Sequence, residues 1–248
     1  MANNHPTVSN PLIMERYSAA RTNERDTLLR CVDLTPGMTV LDIQSAGGYL
    51  SDEVFRRLGG RVELVCIEPN GELRSRLKSA YRAINNPVEH FYSVGDNSID
   101  LALGLIGLHH SHSHESTIKE IFRTLAMGGQ FAICDVYKGS RLAQWFDEFV
   151  HENSASGHVG NFPSPGSISA ICIEMGFTDV VEEPKDVPWI FSSRSDIALF
   201  FKGLFGLTVS ERVVESVLEN YFTIRDEAGL VSVDWQLMYC HGSKMRHP

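Results

Sequence analysis

The sequence predicts a doubly wound α/β fold built on a mostly parallel sheet. Two observations predict it. Short apolar runs that read as buried strands alternate with segments of helical periodicity, the order expected of a parallel sheet with helices on both faces. The run Thr39-Val40-Leu41-Asp42-Ile43 breaks into Gln44-Ser45-Ala46-Gly47-Gly48 and restarts as helix through Val54, Phe55 and Leu58. A strand, a small-residue turn and a helix set backbone N–H groups at the carboxyl edge of a sheet, where a polar ligand docks. Ser51 is the expected N-cap of that helix, with Asp52 and Glu53 suited to the positive end of its dipole.

Composition narrows the class. A length of 248 residues fits one large domain, or one domain with a cap. Hydrophobic residues make up 43% and charged residues 21%, ordinary for a soluble globular chain. The net charge of −9 and the lack of any basic run argue against a nucleic-acid partner. No apolar run approaches the ~20 residues that span a bilayer. Residues 1–11 are polar, read as a flexible arm and carry no secretory design. The five cysteines, Cys31, Cys66, Cys134, Cys172 and Cys240, are scattered and lack metal-ligand spacing. Free thiols in a reducing cytoplasm are the expected reading.

The elements follow in order. Residues 12–30 read as a helix anchored by Leu12, Ile13, Leu28 and Leu29, and 34–38 as a turn into the first strand. Gly59-Gly60 ends the helix after that strand. A second strand over 61–68 ends in Glu68, and Pro69-Asn70 opens a helix expected over 71–84. A third strand is expected over 88–92 and an apolar fourth over 101–106. Next come a helix over 116–125, a glycine turn at 127–129 and a fifth strand over 130–137. Residues 141–153 form an amphipathic helix and 154–166 a long Gly/Ser/Pro-rich loop that covers the cleft. A helix over 167–175, a sixth strand over 178–183 and an aromatic edge at 189–191 follow. Two helices, 195–205 and 210–223, precede a last strand over 230–240 and a frayed tail over 242–248.

Those two helices read as a cap, residues 193–229, inserted before the last strand of a main domain formed by 1–192 and 230–248. Phe200, Phe201, Leu204, Phe205 and Leu207 are too apolar for a lone surface helix. They must bury against the core, the cap or a second subunit, so a homodimer through the cap helices is an expectation.

The strand–turn–helix unit resembles the first motif of class I S-adenosylmethionine-dependent methyltransferases: strand, Asp, apolar residue, then Gly-x-Gly-x-Gly. Asp42 and Gly48 match it, while Gln44 and Ala46 occupy the first two glycine positions. Residues 96–110 resemble the family's "Asp-x-Ser-Phe-Asp, strand, Leu-His-His" passage. "Arg-x-Leu-x-x-Gly-Gly, strand, Asp" matches from Arg123 to Asp135. The resemblance covers residues 12–192 and the last strand. It implies a Rossmann-like sheet of seven strands and S-adenosyl-L-methionine as cofactor. Two departures stand out. Gln44 puts a long amide where glycine would turn freely, so either Gly47-Gly48 re-routes the loop or the pocket is narrowed. The family's adenine-holding acid after the third strand has no clear counterpart, and the nearest, Glu89, is expected within a strand.

Candidate site residues follow. An acid closing the second strand accepts the hydroxyl protons of a ribose, which assigns Glu68. The resemblance implies that Gln44, Ala46 and Gly48 face the methionine portion, with Asp42 and Ile106 beside them and Tyr17 and Arg21 covering it. Arg21 would hold the carboxylate by charge-assisted hydrogen bonds. His109 or His110, at the carboxyl end of the fourth strand, suits removal of an acceptor proton, since histidine titrates near neutral pH. Asp135, Tyr137, Trp189 and Phe191 are placed on the acceptor side. His109, His110, His112, His114 and Glu115 in one loop invite a metal, but alternate spacing is not that of a helical or paired-strand zinc site. No metal is therefore assigned, and His112 and His114 read as solvated. The expected reaction is methyl transfer to a small-molecule acceptor. Two alternatives remain: non-methylating chemistry in which the cofactor attacks itself, by cyclisation or elimination, and a non-catalytic scaffold, which Gln44, Ala46 and the missing acid favour.

Overall fold

Strand β1 (Thr39–Ile43) carries apolar side chains to both faces, so it needs a layer on each side. The computed structural model, which describes residues 9–155 and 157–245, supplies both layers. Beside β1 run β2 (Glu63–Ile67) and β4 (Ile99–Leu105), both parallel to it. The sheet has seven strands in the order β3-β2-β1-β4-β5-β10-β6, with β3 Arg82–Ile84, β5 Leu125–Asp135, β6 Phe177–Asp186 and β10 Gln236–Lys244. Strand β10 is antiparallel to both neighbours, and the remaining pairs are parallel.

Period-two alternation divides the core. Leu41, Ile43, Val65 and Phe131 face Ile118 and Ile121 of α5 (His114–Thr124) and Cys172 of α8 (Ser167–Glu174). Val40, Leu64, Leu101 and Leu103 face the other layer. That layer holds α2 (Thr22–Leu29), α3 (Tyr49–Arg57) and α6 (Arg141–Trp145), which continues through a wide π turn, Phe146–Val150, into α7 (His151–Asn153).

Several expectations are corrected. The helix expected over 12–30 is broken into α1 (Pro11–Arg16), a 3₁₀ turn and α2, and Leu12 is exposed. The helix expected over 71–84 stops at Ser75 as α4 (Gly71–Ser75), and Arg82–Ile84 becomes the edge strand β3. Residues 88–92 form turns, because side chains satisfy their backbone: Glu120 accepts from Phe91 N (2.6 Å), and Arg123 donates to Phe91 O and Val94 O. Ser51 does not cap α3. Gly48, at φ 103°, takes that position, and Ser51 Oγ donates instead to Asp42 Oδ2 at 2.5 Å.

The last strand is two. Residues 230–233 form β9 (Leu230–Val233), paired with β7 (Trp189–Phe191) and β8 (Ile224–Glu227) in a small antiparallel sheet. Above this sheet sit α9 (Arg194–Phe205) and α10 (Glu211–Tyr221). Phe200, Phe201, Leu204 and Leu207 are buried within this chain, so the apolar face that suggested a second subunit is already covered. The tail expected over 242–248 is ordered through Lys244, and residues 246–248 lie outside the described residues. Of the arm expected over 1–11, residues 1–8 also lie outside them, and Pro11 already opens α1. Among the described residues no helix is long and apolar enough to cross a membrane.

Two tests follow from buried polar groups. Lys244 Nζ donates to Phe122 O (2.6 Å), Leu125 O (2.7 Å) and Asn97 Oδ1 (2.8 Å), satisfying carbonyls at the end of α5. Lys244→Ala orphans them and is expected to cost about 2–3 kcal/mol in urea unfolding. Burial pushes the Asp42 carboxyl up to about 7, the Glu68 charge adds to this, and the Ser51 hydrogen bond opposes it. A raised carboxyl value in the folded state gives stability that is present at low pH and lost as pH rises through the folded value. Asp42→Asn should therefore gain in Tm over the wild type between pH ~4 and ~7, with the gain flat above that.

Candidate active site

The tips of β1, β2 and β4 open into one cavity of about 360 Å³, within the roughly 300–1,000 Å³ usual for ligand sites. The loop after β1 keeps the path that glycines would give it, although two glycines are replaced. Gln44 has φ 56° and Ala46 φ 45°, and Gly47 and Gly48 follow at 82° and 103°. Ile106, which follows β4 on the facing wall, has φ 53°. A β-branched residue in the left-handed region is an outlier of the kind that gathers at functional sites. The Gln44 amide finds its room over Gly107, where an added Cβ would stand 2.3 Å from Gln44 Oε1 and 2.9 Å from Gln44 Cβ. Gln44 Oε1 is buried and, among the described residues, has no hydrogen-bond donor.

Glu68 lies beneath this loop, 2% exposed. Its Oε2 accepts from Ala46 N (2.8 Å) and its Oε1 from Asn70 N (2.9 Å). Burial pushes its carboxyl upward, and those backbone donors oppose the shift. Each oxygen keeps a lone pair for a further donor. Glu89 is on a turn rather than in a strand, and lines the same cavity while accepting from Ser111 Oγ (2.8 Å) and His112 N (2.7 Å). An acid therefore does stand on this wall.

Arg21 lines the cavity, stacked over Trp189 and Tyr49, with Nε donating to Glu24 Oε1 at 2.6 Å. At the far end a 3₁₀ turn, Leu108–His110, follows β4. His109 is buried, and its Nδ1 lies 2.6 Å from Asp135 Oδ1. Asp135 also accepts from His109 N (2.9 Å) and Val136 N (2.6 Å). With the carboxylate as acceptor, the ring proton sits on Nδ1 and Nε2 carries the lone pair.

The structure thus brings Arg21, Asp42, Gln44, Ala46, Glu68, Ile106, His109, His110 and Trp189 to one cavity. Asp135 stands behind His109 and does not line it. Four expected site residues also lie outside the lining. Tyr17 spends its hydroxyl on Asp196 Oδ1 (2.6 Å) and its ring on Phe191 and Phe200. Gly48 is the cap of α3. Tyr137 donates to Gln236, and Phe191 is buried in β7. Of the two loop histidines read as solvated, His112 is exposed, but His114 is half-buried and donates to Asn161 O (2.8 Å). Residues not assigned to the site from sequence complete the walls: Asn70, Phe146, His158, Phe205 and Trp235. They come from a helix cap, the π turn, the long loop, the inserted segment and the connection between β9 and β10, and no local spacing connects them to Glu68 or His109.

The arrangement offers hydrogen-bond acceptors for a polyol at one end and an oriented imidazole at the other. A family model described as a methyltransferase domain matches residues 15–183. A comparison with curated proteins finds no significant sequence match. Among solved structures, YcgJ of Bacillus subtilis is similar at 16% identity, over 91% of this chain and 100% of that one, with a TM-score of 0.66. The geranyl diphosphate C-methyltransferase of Streptomyces coelicolor, solved with Mg²⁺, geranyl diphosphate and S-adenosyl-L-homocysteine, is similar at 9% identity over 94% and 84%, TM-score 0.61. The phosphoethanolamine N-methyltransferase 2 of Haemonchus contortus, solved with S-adenosylhomocysteine, gives 14% identity over 90% and 53%, TM-score 0.58. With its fold, strand order and matched residues, the chain belongs to the class I S-adenosylmethionine-dependent methyltransferase family.

Proposed function

We propose that the chain transfers a methyl group from S-adenosyl-L-methionine to a small-molecule acceptor. The observation that carries this reading is a single cavity running from Glu68 and Gln44 to His109 and an aromatic wall of Phe146, Phe205 and Trp235. The cofactor supplies an electrophilic methyl group on a sulfonium. Glu68 holds the ribose hydroxyls with the lone pairs that Ala46 N and Asn70 N leave open. Gln44 Oε1, which lacks a donor, accepts from the ammonium of the methionine portion. Arg21 offers that portion's carboxylate its remaining N–H groups. His109, aligned by Asp135, takes a proton from the acceptor through Nε2. The apolar wall excludes water and holds the acceptor in line.

Leu204 and Phe205 of α9 line the cavity, which supports reading 193–229 as a cap on a main domain of 1–192 and 230–248. Free thiols at all five cysteines support a cytoplasmic setting.

Calorimetric titration with S-adenosyl-L-methionine and S-adenosyl-L-homocysteine tests the reading. Both should bind, and Glu68→Ala should weaken both by ~10-fold or more. Silence at millimolar ligand would overturn it in favour of a non-catalytic scaffold. Release of methylthioadenosine with no acceptor present would reassign the chain to internal chemistry. Gln44→Leu keeps the bulk and removes the acceptor oxygen. It should weaken S-adenosyl-L-methionine by ~10-fold and leave methylthioadenosine, which has no ammonium, unchanged.

A further inference from the structure

His109, His110 and His158 each place a ring nitrogen within 4.8 Å of the other two. They come from two loops, one after β4 and one after α7. Hydrogen bonds join these loops independently of the rings. Asn161 N donates to His109 O (2.8 Å), and Asn161 Nδ2 to Ser111 O (3.1 Å). His114 Nε2 donates to Asn161 O (2.8 Å), and His151 Nδ1 to His158 O (2.7 Å). The backbone carrying His158 is therefore held over the His109-His110 turn by contacts that ask nothing of the imidazoles.

Asp135 is the second observation. A metal-ligating histidine nearly always gives its other ring N–H to a carboxylate or carbonyl, which fixes the tautomer and strengthens the donor nitrogen. The Asp135 carboxylate does this for His109 at 2.6 Å, and two backbone N–H groups fix the carboxylate in turn. Phe146 and Phe162 flank the cluster, with ring centroids 4.5 and 5.9 Å from that of His158. An apolar surround of this kind strengthens ion–ligand attraction.

We propose that His109, His110 and His158 form a site for a zinc-class divalent cation, with its open position facing the cavity. Three imidazoles and one open position make the donor set of a catalytic zinc centre. Nitrogen donors favour Zn²⁺, Co²⁺ or Ni²⁺, whereas Mg²⁺ and Ca²⁺ require oxygen. Bonds of about 2.0–2.1 Å set tetrahedral nitrogens roughly 3.4 Å apart, so loading draws the rings together by about an ångström. One consequence rests on the methyl-transfer reading. The ion takes the Nε2 lone pair of His109, so acceptor activation passes from the imidazole to the ion. An acceptor hydroxyl in the open position would then lose its proton on the ion, with that proton released to solvent.

The test is calorimetric titration of Zn²⁺ alone into metal-free, untagged protein without cofactor. A single ion per chain is expected, at micromolar affinity or tighter, and Co²⁺ should give visible d–d bands that Zn²⁺ displaces. His158→Ala and, separately, His110→Ala should abolish both signals, with folding verified by thermal melting. Asp135→Asn should weaken binding by ~10–100-fold. No binding at about 100 µM Zn²⁺, or binding equal in the wild type and a folded His158→Ala, overturns the site. Because cofactor is absent from this titration, failure here leaves the methyl-transfer reading intact. Silence with S-adenosyl-L-methionine removes that reading and leaves the ion site.

Discussion

The site depends on one backbone constraint: residues 44 and 46–48 must turn through the left-handed region while two of them carry side chains. Each non-glycine residue held there costs on the order of 1 kcal/mol or more. Three features hold the turn in place. Glu68 takes the Ala46 N–H from below, Ser45 N donates to Ile67 O (3.2 Å), and Gly107 clears the volume that the Gln44 side chain fills. The carboxylate that fixes the turn is also the one presented to the cavity. Loop geometry and the proposed ribose contact therefore share a residue, and a change at Glu68 reaches both.

The buried Asp42 extends this constraint into the sheet. It lies level with Cys66 on β2 and Leu103 on β4, and receives Ser51 from α3. Burial favours its neutral form, so near neutral pH it links strand to helix without placing a full second negative charge beside Glu68. With the Asp42 carboxyl pushed up to about 7, the cavity floor carries less than two full negative charges near neutral pH, which eases the repulsion between the two groups.

Much of the frame was legible because it is local. Five of the seven main-sheet strands announce themselves as apolar runs, and Glu68 and Asp135 stand at strand ends where the pattern puts them. The misses have physical causes. Arg82–Ile84 is an edge strand of three residues with only Ile84 buried, so it carries no apolar signature. Residues 88–92 look strand-like, yet Glu120 and Arg123 hold their backbone from a distant helix. Val231 and Val233 follow an alternation that could belong to the main sheet, and the turn at Asp234-Trp235 diverts them into a second one. His158 is placed by Asn161 across more than forty residues, a contact without local spacing. Gln44 was read as an obstruction because a glycine motif was expected. Its compensating partner, Gly107, lies on a different strand's tip.

The small antiparallel sheet is coupled to the cavity through a buried charge rather than by apolar packing alone. Glu24 of α2 is fully buried, accepts from Arg21, and takes Trp189 Nε1 at 2.8 Å, while its backbone oxygen takes Tyr239 OH at 2.9 Å. Burial pushes its carboxyl upward, and Arg21 and Trp189 oppose that shift. Helix α2, the small sheet and β10 thus converge on one residue. Trp189 stacks on Trp235 with ring centroids 3.7 Å apart, and both rings line the cavity. Apolar residues in place of both Glu24 and Arg21 would be close to neutral for stability, whereas an apolar residue at Glu24 alone would strand the buried Arg21 guanidinium and Trp189 Nε1 without their acceptor. What the pair adds is direction. It fixes Arg21 against the rings of Tyr49 and Trp189, so one carboxylate positions both the guanidinium and an aromatic wall of the cavity.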